Sequence, residues 1–219
     1  MNFGGHLMSG WLISRGTSDA AERRLVMLSA IAPDADGLFI LGPESWREAH
    51  RTFGHNIFWA ILVPLILLVF VRRGRRWRLL PLLFAGMASH FVLDLFVTGW
   101  WSLVPFWPIS DWDILMSRYI PEHVMKYHIQ IGLFAALLVP VVWFVRKEGR
   151  SPLEILGVRA DRFFLNFITM PFSQKCSVCG ARAFYRCEAC NAPLCGRHRR
   201  FSGWFRTRCS QPCRHADTP

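Results

Sequence analysis

Cysteine is absent from the first 175 residues, and acidic side chains are scarce throughout, 15 Asp and Glu against 26 Lys and Arg. The first absence excludes a disulfide framework for most of the chain. No basic run precedes the first apolar residues, so a cleavable signal peptide is not expected. Internal repeats and low-complexity tracts are also missing, which argues against the many transporter folds built on repeats. What is present is apolar: 52% hydrophobic residues, ten Trp and a mean hydropathy of +0.23. That balance points to a membrane protein.

The net charge of +11 matters less than where it falls. Arg72-Arg73-Gly74-Arg75-Arg76-Trp77-Arg78 follows one apolar run and Arg146-Lys147 follows another, as positive-inside patterning requires. The expected membrane segments are a broken or re-entrant stretch at 25–41, interrupted by Pro33, and spans at 57–71, 79–97 and 129–145. Trp100, Trp101, Trp107 and Trp112 mark an aromatic belt and surface loop. The arginine clusters place the C-terminal tail in the cytoplasm. An amphipathic helix is expected over 152–170, lying either on the inner leaflet or on the body of the protein.

Ionisable side chains recur where this apolar background should exclude them. His90 and Asp94, four residues apart, share one face of a helix. Asp34 and Asp36 sit in the irregular Pro33-Asp34-Ala35-Asp36 turn, and His50, Arg51 and His55 lead into the next span. A mid-helix Asp costs about 2.5–3.5 kcal/mol on insertion, so a functional role is the default reading. Imidazoles and carboxylates are metal ligands in their neutral and anionic forms, and a bound ion would stabilise them together. His50 and His55 are about 140° apart around a helix axis. They converge only if the helix begins near His55. His6 joins only if the N-terminus folds back. Taken singly, each has a duller reading: interfacial His, turn Asp, capping Asp. His128 is a reserve ligand.

The order of these elements resembles the YdjM-like family, described as LexA-regulated, membrane-bound, metal-dependent hydrolases. The likeness rests on His6, on Pro33-Asp34-Ala35-Asp36, on His50-Arg51-Thr52-Phe53-Gly54-His55, on Ser89-His90 with Asp94, Thr98 and Gly99, and on Phe106-Trp107-Pro108. Asn56 stands where that family generally has Ser, and Gly54 where Thr is common. The resemblance covers about 1–145 and implies a divalent-metal hydrolase in a bacterial inner membrane, distantly like zinc-dependent phospholipase C. Its ligands would be His6, Asp34, Asp36, His50, His55, His90 and Asp94, holding one or two Zn²⁺ or Mn²⁺ ions. Asp34 or Asp36 would bridge the ions or take a proton from water, with Asp36 the catalytic candidate, and Arg51 would steady a phosphoryl oxygen. A location at the lipid boundary suggests a phospholipid or lipid-linked phosphate as substrate.

The tail carries Cys176-x2-Cys179, Cys187-x2-Cys190, Cys195-x2-His198 and Cys209-x3-Cys213, with His215 nearby. Two-residue gaps let paired ligands reach one tetrahedral Zn²⁺, and eight ligands suffice for two structural ions. The order resembles cross-braced fingers of the AN1 or B-box type. It implies Cys176/Cys179 with Cys195/His198, and Cys187/Cys190 with Cys209 and either Cys213 or His215. One ion with some free thiols, or a disulfide knot, are the other readings. From Lys175 onward nine Lys or Arg face Glu188 and Asp217, a charge that suits a cytosolic protein partner, anionic lipid or nucleic acid.

The expected fold is an all-α integral membrane helical bundle of three or four spans or re-entrant segments, with a small zinc-stabilised C-terminal domain. Its divisions are a hydrolase-like domain over 1–150, a linker helix over 151–174 and a zinc-binding domain over 175–219. A metal-dependent phosphoesterase is the leading function. A non-catalytic adaptor that recruits a partner through its finger, and a metal or proton transporter, are the alternatives.

Overall fold

The computed structural model of the protein describes residues 3–35, 54–96, 102–169, 174–187, 189–201 and 207–210. Two compact units divide the chain, Met1–Val142 and Trp143–Pro219. The first contains helices α1 (Phe3–Ser14), α2 (Ala20–Ile31), α3 (Ile57–Val69) and α4 (Arg76–Leu95). Helix α5 (Gln130–Glu148) runs on from the first unit into the second.

Local chemistry sets the helix starts. The Asp19 carboxylate accepts hydrogen bonds from the Ala21 and Glu22 N–H groups at 2.8 and 3.3 Å, capping α2. The bond from Glu22, then that from Ala21, holds its carboxyl below the usual range. Asn56 caps α3 by accepting from the Trp59 N–H at 2.9 Å. The Ile57 N–H donates to the Pro105 carbonyl at 2.8 Å, tying the start of α3 to the loop that follows α4. Helix α2 gives way to a 3₁₀ turn, Ala32–Ala35, at Pro33, which has no N–H to continue the ladder.

Helices α1, α2 and α4 pack on one another, and α3 packs against α4. Small residues make the approach close. A Cβ on Gly10 of α1 would fall 2.6 Å from Ala30 Cβ, and one on Gly86 of α4 would fall 2.9 Å from the Val26 carbonyl oxygen. Ser29 Oγ donates to the Leu83 carbonyl at 2.8 Å, joining α2 to α4. Val26, Val71, Leu79 and Leu83 form the buried apolar cluster beside these contacts.

Among the described residues two helices are long and apolar enough to cross a membrane, Arg73–Leu95 and Val124–Glu148. Both exceed the ~20 residues that a ~30 Å hydrocarbon layer requires. They match the spans expected at 79–97 and 129–145. The run at 57–71 is shorter than expected: α3 has 13 residues, about 20 Å of helix, because Asn56 caps one end and the turn at Phe70 closes the other. Of the broken segment at 25–41, the described part is α2 and the turn that carries Asp34.

In the second unit a 3₁₀ turn (Pro152–Leu156) precedes helix α6 (Val158–Thr169). The single helix expected over 152–170 is therefore interrupted at Gly157, whose φ of +117° is a backbone that side chains rarely allow. Ser151 ties turn to helix, its N–H and Oγ donating to Asp161 Oδ1 at 2.7 and 2.6 Å. The tail beyond forms two antiparallel hairpins. Strand β1 (Tyr185–Arg186) pairs with β2 (Pro193–Leu194), Tyr185 opposite Leu194. Strand β3 (Arg199–Phe201) pairs with β4 (Thr207–Cys209), Arg199 opposite Cys209. Helix α6 packs on β1.

The close α2–α4 crossing makes a prediction. Gly86→Val, by crowding the Val26 backbone, should destabilise the detergent-solubilised protein by about 1–3 kcal/mol and lower its thermal midpoint. Gly132→Ala in α5, with no atom within 4 Å of the added carbon, should leave the midpoint unchanged or slightly raised. Equal midpoints for the two variants would contradict the packing.

Candidate metal centre

Four elements of the first unit bring five sequence-predicted ligands together: His6 from α1, Asp34 from the 3₁₀ turn, His55 just before α3, and His90 and Asp94 from α4. His6, His55 and His90 are fully buried and Asp94 is 2% exposed. The Asp34 side chain, at 20%, reaches solvent. Asp94 stands at the centre. Its Oδ1 lies 3.1 Å from His6 Nε2, and its Oδ2 lies 3.3 Å from His55 Nε2 and 3.5 Å from His90 Nε2. Asp34 Oδ1 is 3.7 Å from His90 Nε2 and 3.9 Å from His55 Nε2.

The imidazoles do not satisfy one another by hydrogen bonding alone. His90 Nδ1 lies 2.7 Å from the Ala30 carbonyl oxygen. A carbonyl can only accept, so the proton sits on Nδ1 and the lone pair on Nε2. That lone pair faces His55 Nε2 at 3.0 Å. His6 stacks on His90, ring centroids 3.7 Å apart; its Nε2 is close to Asp94 but out of line for a hydrogen bond, and its Nδ1 has no hydrogen-bond partner among the described residues. Leaving a buried polar atom unsatisfied costs about 1–3 kcal/mol. A shared cation would remove that cost, and second-contact orientation of a ligand histidine by a backbone carbonyl is the usual arrangement in metal sites.

The spacings suit an ion. Tetrahedral metal–ligand bonds of about 2.0–2.2 Å place neighbouring donor atoms roughly 3.3–3.6 Å apart, a range that holds the Asp94 contacts with His55 and His90. The donors fall into two overlapping groups, His55/His90/Asp94 and His6/Asp34/His90. Asp36, His50 and Arg51 lie outside the described residues, as do Thr98 and Gly99. His123 and His128 are exposed and join neither group. Sequence reasoning missed the Ala30 carbonyl, which carries no side-chain signal. It also missed the Ser9–Ser89 hydroxyl contact at 3.2 Å, which links α1 to α4 beside the cluster.

In the tail, Cys176, Cys179, Cys195 and His198 form one group and Cys187, Cys190 and Cys209 another. Cys213 and His215 lie outside the described residues. Two copies of one turn build these groups. Gly180 and Asn191, each next after a Cys-x2-Cys pair, have positive φ, and their N–H groups donate to the Cys176 and Cys187 carbonyls at 2.9 and 2.8 Å. The sulfurs of Cys179 and Cys195 are 3.7 Å apart and those of Cys190 and Cys209 3.6 Å. A disulfide would need about 2.05 Å. A tetrahedron with metal–sulfur bonds of about 2.3 Å has edges near 3.8 Å. Burial disfavours the Cys176 thiolate, but the N–H groups of Val178, Cys195 and Cys179 and the His198 ring outweigh it and hold the thiol down to about 6. Cys187 is likewise held to about 6, the N–H groups of Cys190 and Ala189 and the contact with Cys209 outweighing its burial. Thiols so lowered are ionised at neutral pH and ready to ligate.

Comparison with known proteins gives these sites a setting. The chain is 29% identical to inner membrane protein YbcI of Escherichia coli (strain K12), over 55% of this chain and 82% of that relative. No solved structure matches it. Both the relative and the family that matches bear inner-membrane descriptions, which supports an inner-membrane location. The family profile takes in all five membrane-side ligands and ends before the first cysteine. Matching over residues 1–172, the chain belongs to the YdjM inner membrane protein family.

Proposed function

We propose that this is a membrane-bound, metal-dependent hydrolase acting on a phosphoester such as a phospholipid or lipid-linked phosphate. The observation that carries it is the buried meeting of three imidazole Nε2 atoms with Asp94, beside an Asp34 carboxylate that still reaches water. His55, His90 and Asp94 would hold one ion, with His6 and Asp34 completing its surroundings or, together with Asp36 and His50, holding a second. The ion, Zn²⁺ or Mn²⁺ by ligand type, supplies Lewis acidity that activates water for attack on a phosphoryl centre.

The protein's own groups do the rest. The Ala30 carbonyl keeps the His90 proton on Nδ1, so that Nε2 stays a ligand. Asp34 Oδ, the solvent-facing member of the set, accepts a proton as water is activated. Arg51 offers a forked cation for the phosphoryl oxygens. Helix α4 starts at the arginine cluster and carries Asp94 about 27 Å along its axis, which supports chemistry at the other membrane boundary, where lipid-borne substrates would present their phosphates. Helix α3 and the segment around Asp34 would complete a bundle of three or four segments without crossing as straight spans.

The tail would be a structural zinc module. Its Cys176/Cys179/Cys195/His198 group is already four-fold, and a closed tetrahedral set leaves no position for substrate. The alternative, a non-catalytic adaptor in which the membrane-side ion only braces the helices, draws support from the near-complete burial of His6, His55, His90 and Asp94.

Metal analysis of the purified full-length protein separates the sites. His90→Ala/Asp94→Ala should lose about one metal equivalent or more while the tail keeps its zinc, and Cys187→Ser should do the reverse. Unchanged metal content in the first variant would sink the membrane-side site. For the chemistry, Asp34→Asn should retain most of the metal yet lose roughly 10²–10⁴-fold in hydrolysis of a chromogenic phosphodiester, the usual loss of a general base. Metal-replete wild-type protein with no turnover on phosphoesters or lipid phosphates would favour the adaptor.

A further inference from the structure

A polar cavity lies wholly within the Trp143–Pro219 unit and shares no residue with either membrane-side ligand group. It is a cleft of about 330 Å³ between α6 and the finger, lined by Arg159, Arg162 and Asn166 on one side and by Tyr185, Arg186 and Thr207 on the other. Three arginines therefore line one small space; no carboxylate lines it among the described residues, and its one acidic side chain is Cys187, which also belongs to the tail's ligand group. Arg186 spends its N–H groups on neutral acceptors, the Asn191 carbonyl at 3.1 Å and Gln174 Oε1 at 3.0 Å. Arg159 and Arg162 have no acidic partner among the described residues. The like charges of Arg159, Arg162 and Arg186 repel around the cleft, and an anion bound among them would be attracted to all three.

We propose that this cleft binds a phosphoryl group, that of an anionic phospholipid headgroup or of free phosphate. Guanidinium forks match phosphate oxygens two at a time, and the amide of Asn166 and the hydroxyl of Thr207 add neutral donors. The volume is at the low end for small-molecule sites, about 300–1,000 Å³, and suits a phosphate with a small polar head. Connectivity favours the lipid source. Only Gly149 to Gly157 separate the end of the apolar helix α5 from the start of α6, a reach of about 30 Å at most. Part of that length is drawn in by the 3₁₀ turn and by the bonds from Ser151 to Asp161. The cleft is thus tethered near headgroups at high local concentration. Single-stranded nucleic acid fits less well, because it reads proteins by stacking on free aromatic faces. Here the Tyr185 ring is already covered by Arg199 at 4.0 Å and flanked by Phe163 at 5.8 Å.

The test uses the full-length, metal-replete protein in a neutral detergent, titrated calorimetrically with dioctanoyl phosphatidylglycerol, with dioctanoyl phosphatidylcholine and with inorganic phosphate. Saturable binding of phosphatidylglycerol is expected, at least tenfold weaker in Arg159→Gln/Arg162→Gln. It should be unchanged in Arg200→Gln, which removes a charge from β3 outside the cleft. Both arginines of the double variant are exposed, and retention of the tail's metal will show that the finger still folds. If inorganic phosphate competes at comparable concentration, the phosphoryl site stands and free phosphate is its ligand; if it does not, the headgroup is. Three results would overturn the proposal: no saturable anion binding, an equal loss in Arg200→Gln, or a single-stranded oligonucleotide that displaces the lipid.

Discussion

Everything in the membrane-side unit turns on Asp94, a carboxylate buried on an apolar helix with imidazole nitrogens within 3.5 Å on two sides. Burying a carboxylate without compensation is prohibitive, and crowding three buried imidazoles around it adds the cost of desolvating each ring. The arrangement becomes favourable when a cation sits among them. The fold serves that end. Gly10 and Gly86 allow α1 and α4 to close on α2, which brings His6 within stacking distance of His90 and the Ala30 carbonyl within bonding distance of its Nδ1. Asn56 and the Pro105 carbonyl fix where α3 begins, and hence where His55 points.

The parts of this site that were legible in sequence are those set by local spacing. His90 and Asp94 follow from a four-residue interval on a helix, and the tail's groups follow from two-residue intervals between ligands. Both long apolar helices could likewise be read from composition. The shortness of α3 could not, because its limit is a cap and a turn inside an apolar run, and hydropathy is blind to both. The break at Gly157 is another such case: the amphipathic pattern continues through it while the backbone does not. His6 needed tertiary structure, since only the close helix crossing brings it to the cluster. The Ala30 carbonyl was invisible because any residue would supply one.

The chain carries two kinds of side-chain cluster that could hold a metal, with different physical demands. The tail's cysteines, of which Cys176, Cys187 and Cys195 are buried, belong to a small fold in which bound metal would add to the burial that so few apolar residues supply. The membrane-side cluster lies instead among closely packed helices, where Asp34 alone of the five grouped side chains still reaches solvent. The family match ends at residue 172, before the first of the tail's cysteines. The tail's contacts with α6, through Phe163 against Tyr185 and Phe201, fix it to the last helix that the family shares.

X-ray absorption at the metal edge, on full-length protein whose tail cysteines have been replaced by serine, addresses the shared cation most directly. The account predicts a light-atom shell at about 2.0–2.2 Å with the outer-shell scattering of two or three imidazoles. A spectrum without imidazole scattering, or no bound metal at all, would contradict it.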